Sequence, residues 1–383
     1  MKILHLCLSC FYIDGFSYQE NELARQNAED GHDVLVIAST ENYDANGQLV
    51  YGEPREYIGS DGVPVVRLAY SGPFPHSIGR KLRMHAGVYE RIAAFGPNVI
   101  LFHGACSWEI NAAARYVRDH PKVTLYVDSH EDFINSARGF VSKWLLHWAY
   151  YRPILRRNMR YVTKVLPVAL SALEFMRDFY GVPAEMLELY PLGGFVPDDS
   201  EYAALRMKGR AELGVSDDQI LIVQSGKIDA TKKLVEALEA FATVADPALR
   251  FMIPGLIQSD VEERVNALAA ADPRIRLLGW KSPDDLRSIL AAADVYCQPG
   301  TQSATMQMSI ANRCAILLDD IPGHRLYLDG NGWLVGQDRT LADAFAEISS
   351  DKVALPAMAE RSHQVALRML DYRLLAARLY KQR

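Results

Sequence analysis

Three lysines surround the start of a predicted helix in the second half of the chain. Gly226 follows an apolar strand-like run, and the helix is expected to begin near Thr231. The lysines at this place are Lys227, Lys232 and Lys233. A helix N-terminus favours anions, and ammonium groups there can neutralise a diphosphate. The segment lacks the spacing of a Walker A loop. It predicts a diphosphate-binding site, with lysines that only solvate the helix start as the alternative.

A histidine stands among carboxyl groups at the end of another strand-like run. The segment "LYVDSHED" places His130 beside Asp128, Glu131 and Asp132. An imidazole in such surroundings can titrate near neutral pH. The same carboxylates could attract a divalent ion, or the histidine could tie loop backbones together. The residues alone leave these interpretations open, and we predict no metal site.

The stretch from Val295 to Asn312 carries no Asp, Glu, Lys or Arg, although 23% of the chain is charged. It is either buried structure or a pocket that binds a ligand through neutral hydrogen bonds and helix-end amides. Ser303 and Thr305 can cap a helix and direct its amides toward a phosphate. The candidate donor-binding residues of this stretch are Gln302, Ser303, Ala304, Thr305 and Gln307.

Apolar strand-like runs alternate with amphipathic helices along most of the 383 residues. Such an order indicates parallel sheets covered by helices, and its restart after "YPLGGFVPDDS" indicates two doubly wound domains. We predict an N-terminal domain over residues 1–192 and a C-terminal domain over residues 193–362. A last helix, within residues 363–383, is expected to pack back on the first domain.

Loops that follow the carboxyl ends of strands are where such sheets bind ligands. Gly15 and Gly255 lie in two of these loops and are candidate donor-binding positions. His103 and Glu109 in "FHGACSWE" are candidate acceptor-side residues, as is Asp132; each could also be structural.

Composition excludes several classes of protein. A net charge of −6 argues against a nucleic-acid partner. The five scattered cysteines fit buried thiols in a reducing cytoplasm. The N-terminal "MKILHLCLSC" lacks the charged region and cleavage site of a signal peptide and is expected to be the first strand. We predict a cytoplasmic protein.

The segment Lys143 to Lys164 combines six basic residues and no acid with Trp144, Trp148 and three tyrosines. A basic aromatic surface suits the inner face of a plasma membrane or a lipid-diphosphate acceptor. The alternative is a long helix that buries its aromatic rings and solvates its arginines.

At Gly226-Lys227-Ile228 and Lys232 the chain resembles the Gly-Arg-Leu…Lys-Gly signature of GT-B glycosyltransferases, particularly the retaining glycosyltransferase family 4. The opening segment through "HDVLVIAS" is similar to the first strand, glycine loop, helix and second strand of that family. "VLPVALSALEFMRDFYG", the later "DDLRSILAAADVYCQPG" and "GNGWLVG" continue the resemblance in order.

The resemblance implies a GT-B fold, with two Rossmann-like doubly wound domains facing a central cleft. It implies transfer with retention, no metal and no cofactor besides the donor, which would be a UDP- or GDP-sugar. Lys227, where arginine is usual, and Lys232 would stabilise the departing diphosphate, with Gly226 and Lys233 beside the donor. His130 matches a histidine that contacts the donor sugar. Gly15 falls in a loop that is usually Gly-Gly.

The family's Glu-x7-Glu motif is missing. Its two positions fall on Gly300 and Met308, and the nearest polar side chains are Gln302 and Gln307. A neutral amide can hydrogen-bond hydroxyls but cannot place negative charge beside a cationic reaction centre. Altered donor choice, chemistry by other groups and lost activity all remain open.

We therefore predict a hexosyl-type retaining glycosyltransferase that acts on a glycan or lipid-linked glycan in surface polysaccharide biosynthesis, such as capsule, O-antigen or exopolysaccharide. A nucleotide-sugar epimerase or hydrolase is the alternative enzyme. A catalytically idle nucleotide-sugar-binding subunit is the third reading.

Overall fold

The computed structural model describes residues 1–44 and 48–381 and divides the chain into two compact units. The first unit comprises Met1–Leu192 with Leu375–Arg383, and the second comprises Gly193–Leu374. The second unit continues to Leu374, beyond the predicted domain boundary at residue 362. The difference arises because Val365 and Ala366 are buried in the core of the second unit.

The first unit is built on a mainly parallel sheet. Its strands are β1 (Lys2–Cys7), β2 (Asp33–Ser39), β3 (Glu41–Tyr43), β4 (Leu49–Tyr51), β5 (Arg55–Ile58), β6 (Pro64–Leu68), β7 (Val99–Phe102), β8 (Thr124–Ser129) and β9 (Lys164–Pro167). Its α-helices are α1 (Gln19–Glu29), α2 (His76–Leu82), α3 (Val88–Phe95), α4 (Ile110–Asp119), α5 (Arg152–Asn158) and α6 (Leu170–Glu174). The strand order of the main sheet is β5-β6-β2-β1-β7-β8-β9, and β3 pairs with β4 apart from it.

The centre of this sheet explains the continuous apolar runs of the sequence. Every residue of β7 is buried, as are all but the first of β1. Strand β5 pairs antiparallel with β6 at one edge. The segment between β8 and β9 contains a π-helix, Val141–Tyr151, which continues directly into α5. A second π-helix, Phe175–Tyr180, continues α6.

The second unit repeats the parallel architecture. Its strands are β10 (Ile220–Val223), β11 (Gly226–Ile228), β12 (Leu249–Ile257), β13 (Ile275–Gly279), β14 (Val295–Gln298), β15 (Ala315–Asp319) and β16 (Gly332–Val335). Its α-helices are α7 (Asp199–Leu213), α8 (Leu234–Ala242), α9 (Glu262–Ala271), α10 (Pro283–Ala292), α11 (Ala304–Ala311), α12 (Pro322–Arg325), α13 (Leu341–Ser350) and α14 (Ala354–Met369). The strand order is β11-β12-β10-β14-β15-β16, with β13 also paired to β12.

The last helix, α15 (Tyr372–Arg378), begins in the second unit and ends in the first. In the first unit, the Tyr190 hydroxyl donates to the Leu375 carbonyl at 2.7 Å, and Arg378 pairs with Glu188 at 2.5 Å. Leu375 and Leu379 are buried. Residues 382–383 of the predicted C-terminal segment lie outside the described residues.

None of the helices in the described ranges combines the length and the apolar character needed to cross a bilayer.

Candidate functional site

The three lysines of the second unit occupy different environments. Lys232 ends a 3-10 turn, Ala230–Lys232, and Lys233 follows it with a left-handed backbone, φ 52°. Helix α8 begins one residue later, so the predicted helix start near Thr231 is this turn. Lys233 pairs with Asp319 at 2.5 Å. Lys227 is exposed in β11, and its side chain makes no hydrogen bond or ion pair with residues 1–44 or 48–381.

Lys232 is held by backbone rather than by a carboxylate. Its Nζ donates to the carbonyl oxygens of Thr301 and Gln302, each at 3.0 Å. Burial lowers the pKa of Lys232 to about 8, and the charge of Asp229 only partly offsets that effect. The ammonium is therefore charged at neutral pH and poorly compensated. Such a group favours a bound anion.

Glycines bring the loops around Lys232 into close backbone contact. A Cβ on Gly300, whose φ is 135°, would lie 2.3 Å from the Thr231 carbonyl oxygen. A Cβ on Gly255 would lie 2.2 Å from the Gly226 carbonyl oxygen. Gly300 thus stands where only glycine fits, and the position aligned with the first motif glutamate has no room for a side chain.

The uncharged stretch is a connected set of neutral hydrogen bonds. The hydroxyls of Tyr296 and Ser303 both donate to Gln298 Oε1, at 2.9 and 2.7 Å. Thr305 Oγ1 lies 3.0 Å from each of those hydroxyl oxygens. Ser303 also caps α11 by accepting from the Met306 amide. Ala304 and Thr305 follow as the first two residues of α11, so their position is at its N-terminus.

The two glutamines nearest the missing motif are already engaged. Gln307 is buried, and its Oε1 accepts from the Gly193 amide at 2.9 Å. Gln302 donates to the Gly323 carbonyl at 3.0 Å. Met308 packs against the core of the second unit. Both glutamine side chains therefore bind backbone groups of the second unit.

A buried polar array lies at the carboxyl edge of the first sheet. His5 of β1 is completely buried, with Nε2 3.0 Å from Asn27 Oδ1 and Nδ1 2.9 Å from His103 Nε2. His103 follows β7, and its Nδ1 lies 2.5 Å from Asp128 Oδ2. Asp128 Oδ1 accepts from the Gly104 amide at 2.6 Å. The array joins helix α1 to strands β1, β7 and β8.

The hydrogen-bond partners in this array indicate which ring nitrogens of His5 and His103 carry protons. Because Asn27 Oδ1 accepts, His5 carries its proton on Nε2 and accepts at Nδ1, so His103 must donate from Nε2. His103 also donates to Asp128, which makes it an imidazolium. Burial and His103 lower the pKa of His5 to about 3. Burial opposes charge on His103, but Asp128 outweighs it and raises the pKa of His103 to about 9.

His130 shares the same carboxylate. Its Nε2 is 3.5 Å from Asp128 Oδ1 and 3.7 Å from Glu20 Oε1. Burial would lower the pKa of His130, but Asp128 and then Glu20 raise it to about 10. The side chain is therefore a cation at neutral pH, not a group that titrates there. Its Nε2 has no hydrogen-bond partner in the described part of the chain.

Burial and the two imidazoliums act on Asp128 in opposite directions. Burial raises its pKa, but His103 and His130 together hold that pKa well below the ordinary value. A carboxylate between two cations is thus the electrostatic centre of the array.

The other first-unit candidates hold loops in place. Asp132 Oδ1 accepts from the amides of Ile134 and Asn135 at 2.8 and 2.7 Å. Glu109 accepts from the His85 amide at 2.7 Å, and burial raises the pKa of Glu109 to about 7. Gly15 is a turn residue with φ 78° and open space around it.

Within residues 1–44 and 48–381, no three His, Cys, Asp or Glu side chains are grouped to hold an ion.

A cavity of about 430 Å³ in the second unit lies away from these lysines. Its walls include Arg206, Asp294 and Arg313, near the amino ends of β14 and β15. Arg206 pairs there with Asp294, and Arg313 pairs with Asp199. Its cations are already neutralised, and it is not the predicted ligand site.

The sequence pattern does not identify His5, Asn27 and Gln298 as polar partners. His5 sits inside an apolar strand run, and Asn27 lies in a helix without a strand-end loop beside it. A polar residue within an otherwise buried strand is the only signal that could have pointed to His5.

Comparison with known proteins agrees with this architecture. Residues 15–193 match a family model described as "Glycosyl transferase 4-like domain", and residues 219–351 match "Glycosyl transferases group 1". An alpha-galactosylglucosyldiacylglycerol synthase of Streptococcus pneumoniae is 22% identical over 176 residues, which cover 43% of this chain and 46% of that protein. The match thus spans less than half of that relative.

Solved structures are similar over nearly the whole chain. Anabaena Alr3699/HepE in complex with UDP has a TM-score of 0.67 at 14% identity, covering 100% of this chain and 99% of its own. Sucrose-phosphate synthase of Thermosynechococcus elongatus has a TM-score of 0.67 at 15% identity, with 100% and 98% covered. WaaG, a glycosyltransferase involved in lipopolysaccharide biosynthesis, has a TM-score of 0.65 at 15% identity, with 99% of each chain covered.

The two family models together cover most of the chain, and the predicted GT-B fold of two Rossmann-like domains is confirmed. The chain belongs to the GT-B glycosyltransferases of the family 4-like type.

Proposed function

We propose that this glycosyltransferase moves a hexosyl group from a UDP- or GDP-sugar to a hydroxyl of a glycan or lipid-linked glycan, with retention and without a metal. The observation that carries the proposal is Lys232, an ammonium held by two carbonyl oxygens and paired with no carboxylate in the described residues. Nucleotide-bound structures of similar proteins, such as HepE with UDP, support a nucleotide-sugar donor.

In the proposed reaction, the bond between the anomeric carbon and the diphosphate oxygen breaks, and negative charge grows on the leaving group. Lys232, Lys227 and the amides at the start of α11 stabilise that charge. The acceptor oxygen bonds to the anomeric carbon on the face that the diphosphate leaves, and its proton passes to the departing phosphate oxygen. We assign His130 to a hydroxyl of the donor sugar, since an imidazolium is a strong hydrogen-bond donor.

The missing glutamates shape this proposal. With Gly300 and Met308 at their positions, no carboxylate from this motif balances Lys232. We infer that the donor's own phosphates take that role. An idle nucleotide-sugar-binding subunit is the second candidate, favoured by the same absence; release of free sugar or of an epimer would instead indicate the hydrolase or epimerase.

Two similarities support a proposal for the acceptor and the location. The partial match to a diacylglycerol-linked glycan synthase and the fold shared with WaaG favour a lipid-linked acceptor in surface polysaccharide synthesis. We propose a cytoplasmic enzyme that works peripherally at the inner face of the plasma membrane.

The first test is a thermal-shift panel of UDP-, GDP- and dTDP-sugars. We expect one donor, at about 100 times its Kd, to raise the Tm by about 5 °C or more. The Lys232→Met variant, which keeps most of the stem and loses the charge, should lose most of this shift and about 100-fold of the turnover. The matched control is Lys281→Met, outside the candidate site. No stabilisation by any donor would reject the proposal; stabilisation without sugar transfer to any acceptor would indicate the idle subunit.

A further inference from the structure

An exposed apolar surface lies on the segment that precedes and enters the π-helix Val141–Tyr151. We call it the aromatic face, and its members are Phe133, Ile134, Phe140, Val141, Trp144, Leu145 and Trp148. Phe140 is 73% exposed, Leu145 56% and Trp148 47%. Isolated exposed apolar residues are ordinary on protein surfaces, but seven within sixteen consecutive positions indicate a binding surface.

The helix has two distinct sides. His147, Tyr151, Ile154 and Leu155 are buried and anchor the helical segment to the core of the first unit. The exposed residues of the helix recur in pairs every four positions, at 140/141, 144/145 and 148/149. The tryptophans and Leu145 therefore point away from the core, whereas Tyr151 is buried and Tyr150 and Tyr161 pack against the core. The alternative in which the helix buries its aromatic rings thus holds for the tyrosines and not for the tryptophans.

The outward side changes from apolar to cationic along the helix. The basic residues from the aromatic face through α5 and the turn after it are Arg138, Lys143, Arg152, Arg156, Arg157 and Arg160. Within the described residues none of these six forms an ion pair with a carboxylate, although most arginines elsewhere do. The sequence contains no Asp or Glu between Asp132 and Glu174. This part of an acidic chain therefore carries uncompensated positive charge.

Helix α2 lies beside the same segment. The hydroxyls of Tyr150 and Tyr151 donate to the carbonyls of Leu82 and Lys81. Phe74 and Ile78, just before and within α2, are also exposed, at 48% and 44%. Exposed apolar residues therefore also occur on the element that these two tyrosines contact.

We propose that the aromatic face inserts into the interface of an anionic lipid bilayer, with the arginines of α5 and of the turn after it on the lipid phosphates. Tryptophan rings favour the boundary between headgroups and acyl chains, and exposed cations attract the anionic surface. A second copy of this chain is a poorer occupant because it would bring the same unpaired cations against these. This proposal rests on the proposed function only where it places a lipid-linked acceptor at the membrane surface that the chain binds. Binding to vesicles can be measured without any sugar transfer.

The test is co-sedimentation of the full chain with vesicles made of one part phosphatidylglycerol and two parts phosphatidylcholine, against vesicles of phosphatidylcholine alone. We expect binding to the anionic vesicles that weakens as salt is raised. The variant Arg156→Gln/Arg160→Gln should weaken partitioning about fivefold for each arginine removed. Its control is Lys281→Gln/Arg361→Gln, which removes two cations of the second unit.

The apolar contribution is tested separately. Phe140→Gln/Leu145→Gln/Trp148→Gln should abolish measurable binding, whereas Met207→Gln/Trp280→Gln/Val353→Gln, at comparably exposed positions of the second unit, should bind as the unchanged chain does. Circular dichroism checks that each variant is folded.

The proposal would be overturned if the chain failed to bind anionic vesicles. It would also be overturned if the aromatic-face variants and their control variants lost vesicle binding equally. A concentration-dependent dimer that the triple aromatic-face variant abolishes while vesicle binding persists would likewise overturn it. Donor stabilisation measured without vesicles reports on the proposed function alone, so the two proposals fail independently.

Discussion

At the scale of single residues, Asp128 determines the charge of the first-unit array. Its carboxylate lies between His103 and His130, and it is the largest favourable influence on the charge of each. Replacing it by a neutral amide would leave the buried His103 and the partly buried His130 without their partner. Residue identity here controls protonation as well as contact.

Asp128→Asn should lower the pKa of His130 from about 10 and that of His103 from about 9, both toward or below 6.5. Histidine resonances followed by NMR through a pH titration measure this. The variant should also lose about 3 kcal/mol of unfolding free energy at neutral pH. The control is Asp178→Asn, an exposed carboxylate paired with the adjacent Arg177.

The pH dependence has a definite sign. Folded pKa values above the unfolded value near 6.5 mean that the stability from His103 and His130 is fully present below that pH. It is lost as the pH rises through 9 and 10. Urea unfolding should show this decline in the unchanged chain and little of it in Asp128→Asn. An identical slope in both proteins would show that Asp128 does not hold the charge.

Some residues of the candidate site can be predicted from the sequence, and others cannot. Lys232 and His130 were identified because each follows a strand, a position that parallel sheets give to ligands. His5 and Asn27 could not be, since their role depends on how β1, α1 and β7 meet. The engagement of Gln307 with Gly193 likewise depends on a contact 114 positions away in sequence.

At the scale of elements, alternating apolar runs predict the parallel sheets because both faces of such strands are buried. The antiparallel β5 and the hairpin of β3 and β4 lie at or beyond the sheet edge, where this pattern is weak. The sequence of the π-helix indicates only a long basic-aromatic segment. Its outward side could not be assigned because the sequence does not show which spacing the helix adopts.

In the loop of Gly300, close backbone packing leaves no room for a side chain at the position of the first motif glutamate. Gly300→Ala should destabilise the second unit by about 2 kcal/mol or more, because its Cβ would meet the Thr231 carbonyl at a strained φ. Gly214→Ala is the control: its φ of 67° is also positive, but its Cβ would meet nothing within 4 Å. We expect about 1 kcal/mol there.

Urea unfolding of both variants measures the difference, and donor binding should weaken only in Gly300→Ala, because the displaced loop carries the carbonyls that hold Lys232. Equal destabilisation would show that the loops yield easily. In that case the variant Gly300→Glu could restore the family's glutamate. Because a Cβ at this position would meet the Thr231 carbonyl oxygen, we expect that Gly300→Glu does not restore it.

At the scale of the whole molecule, the chain returns to its first unit after completing the second. Leu375 and Leu379 are buried there, and Arg378 binds Glu188 and the Leu189 carbonyl while lying over the Tyr190 ring. The residues from Leu375 onward are therefore part of the same compact unit as the N-terminal residues. Stability of the first unit should depend on a segment that is remote in sequence.

Leu375→Ala/Leu379→Ala should lower the unfolding free energy of the first unit by about 4 to 6 kcal/mol, since each change removes a buried side chain and leaves a cavity. The control is Leu367→Ala/Leu374→Ala, in which both leucines are at least 36% exposed and the cost should be below about 1 kcal/mol. Hydrogen exchange resolves the two units: protection should fall in β1, β7 and β8 and stay unchanged in β10 and β14. Equal loss of protection in both units would mean that the whole chain unfolds as one cooperative body, and that the C-terminal segment stabilises more than the unit it packs on.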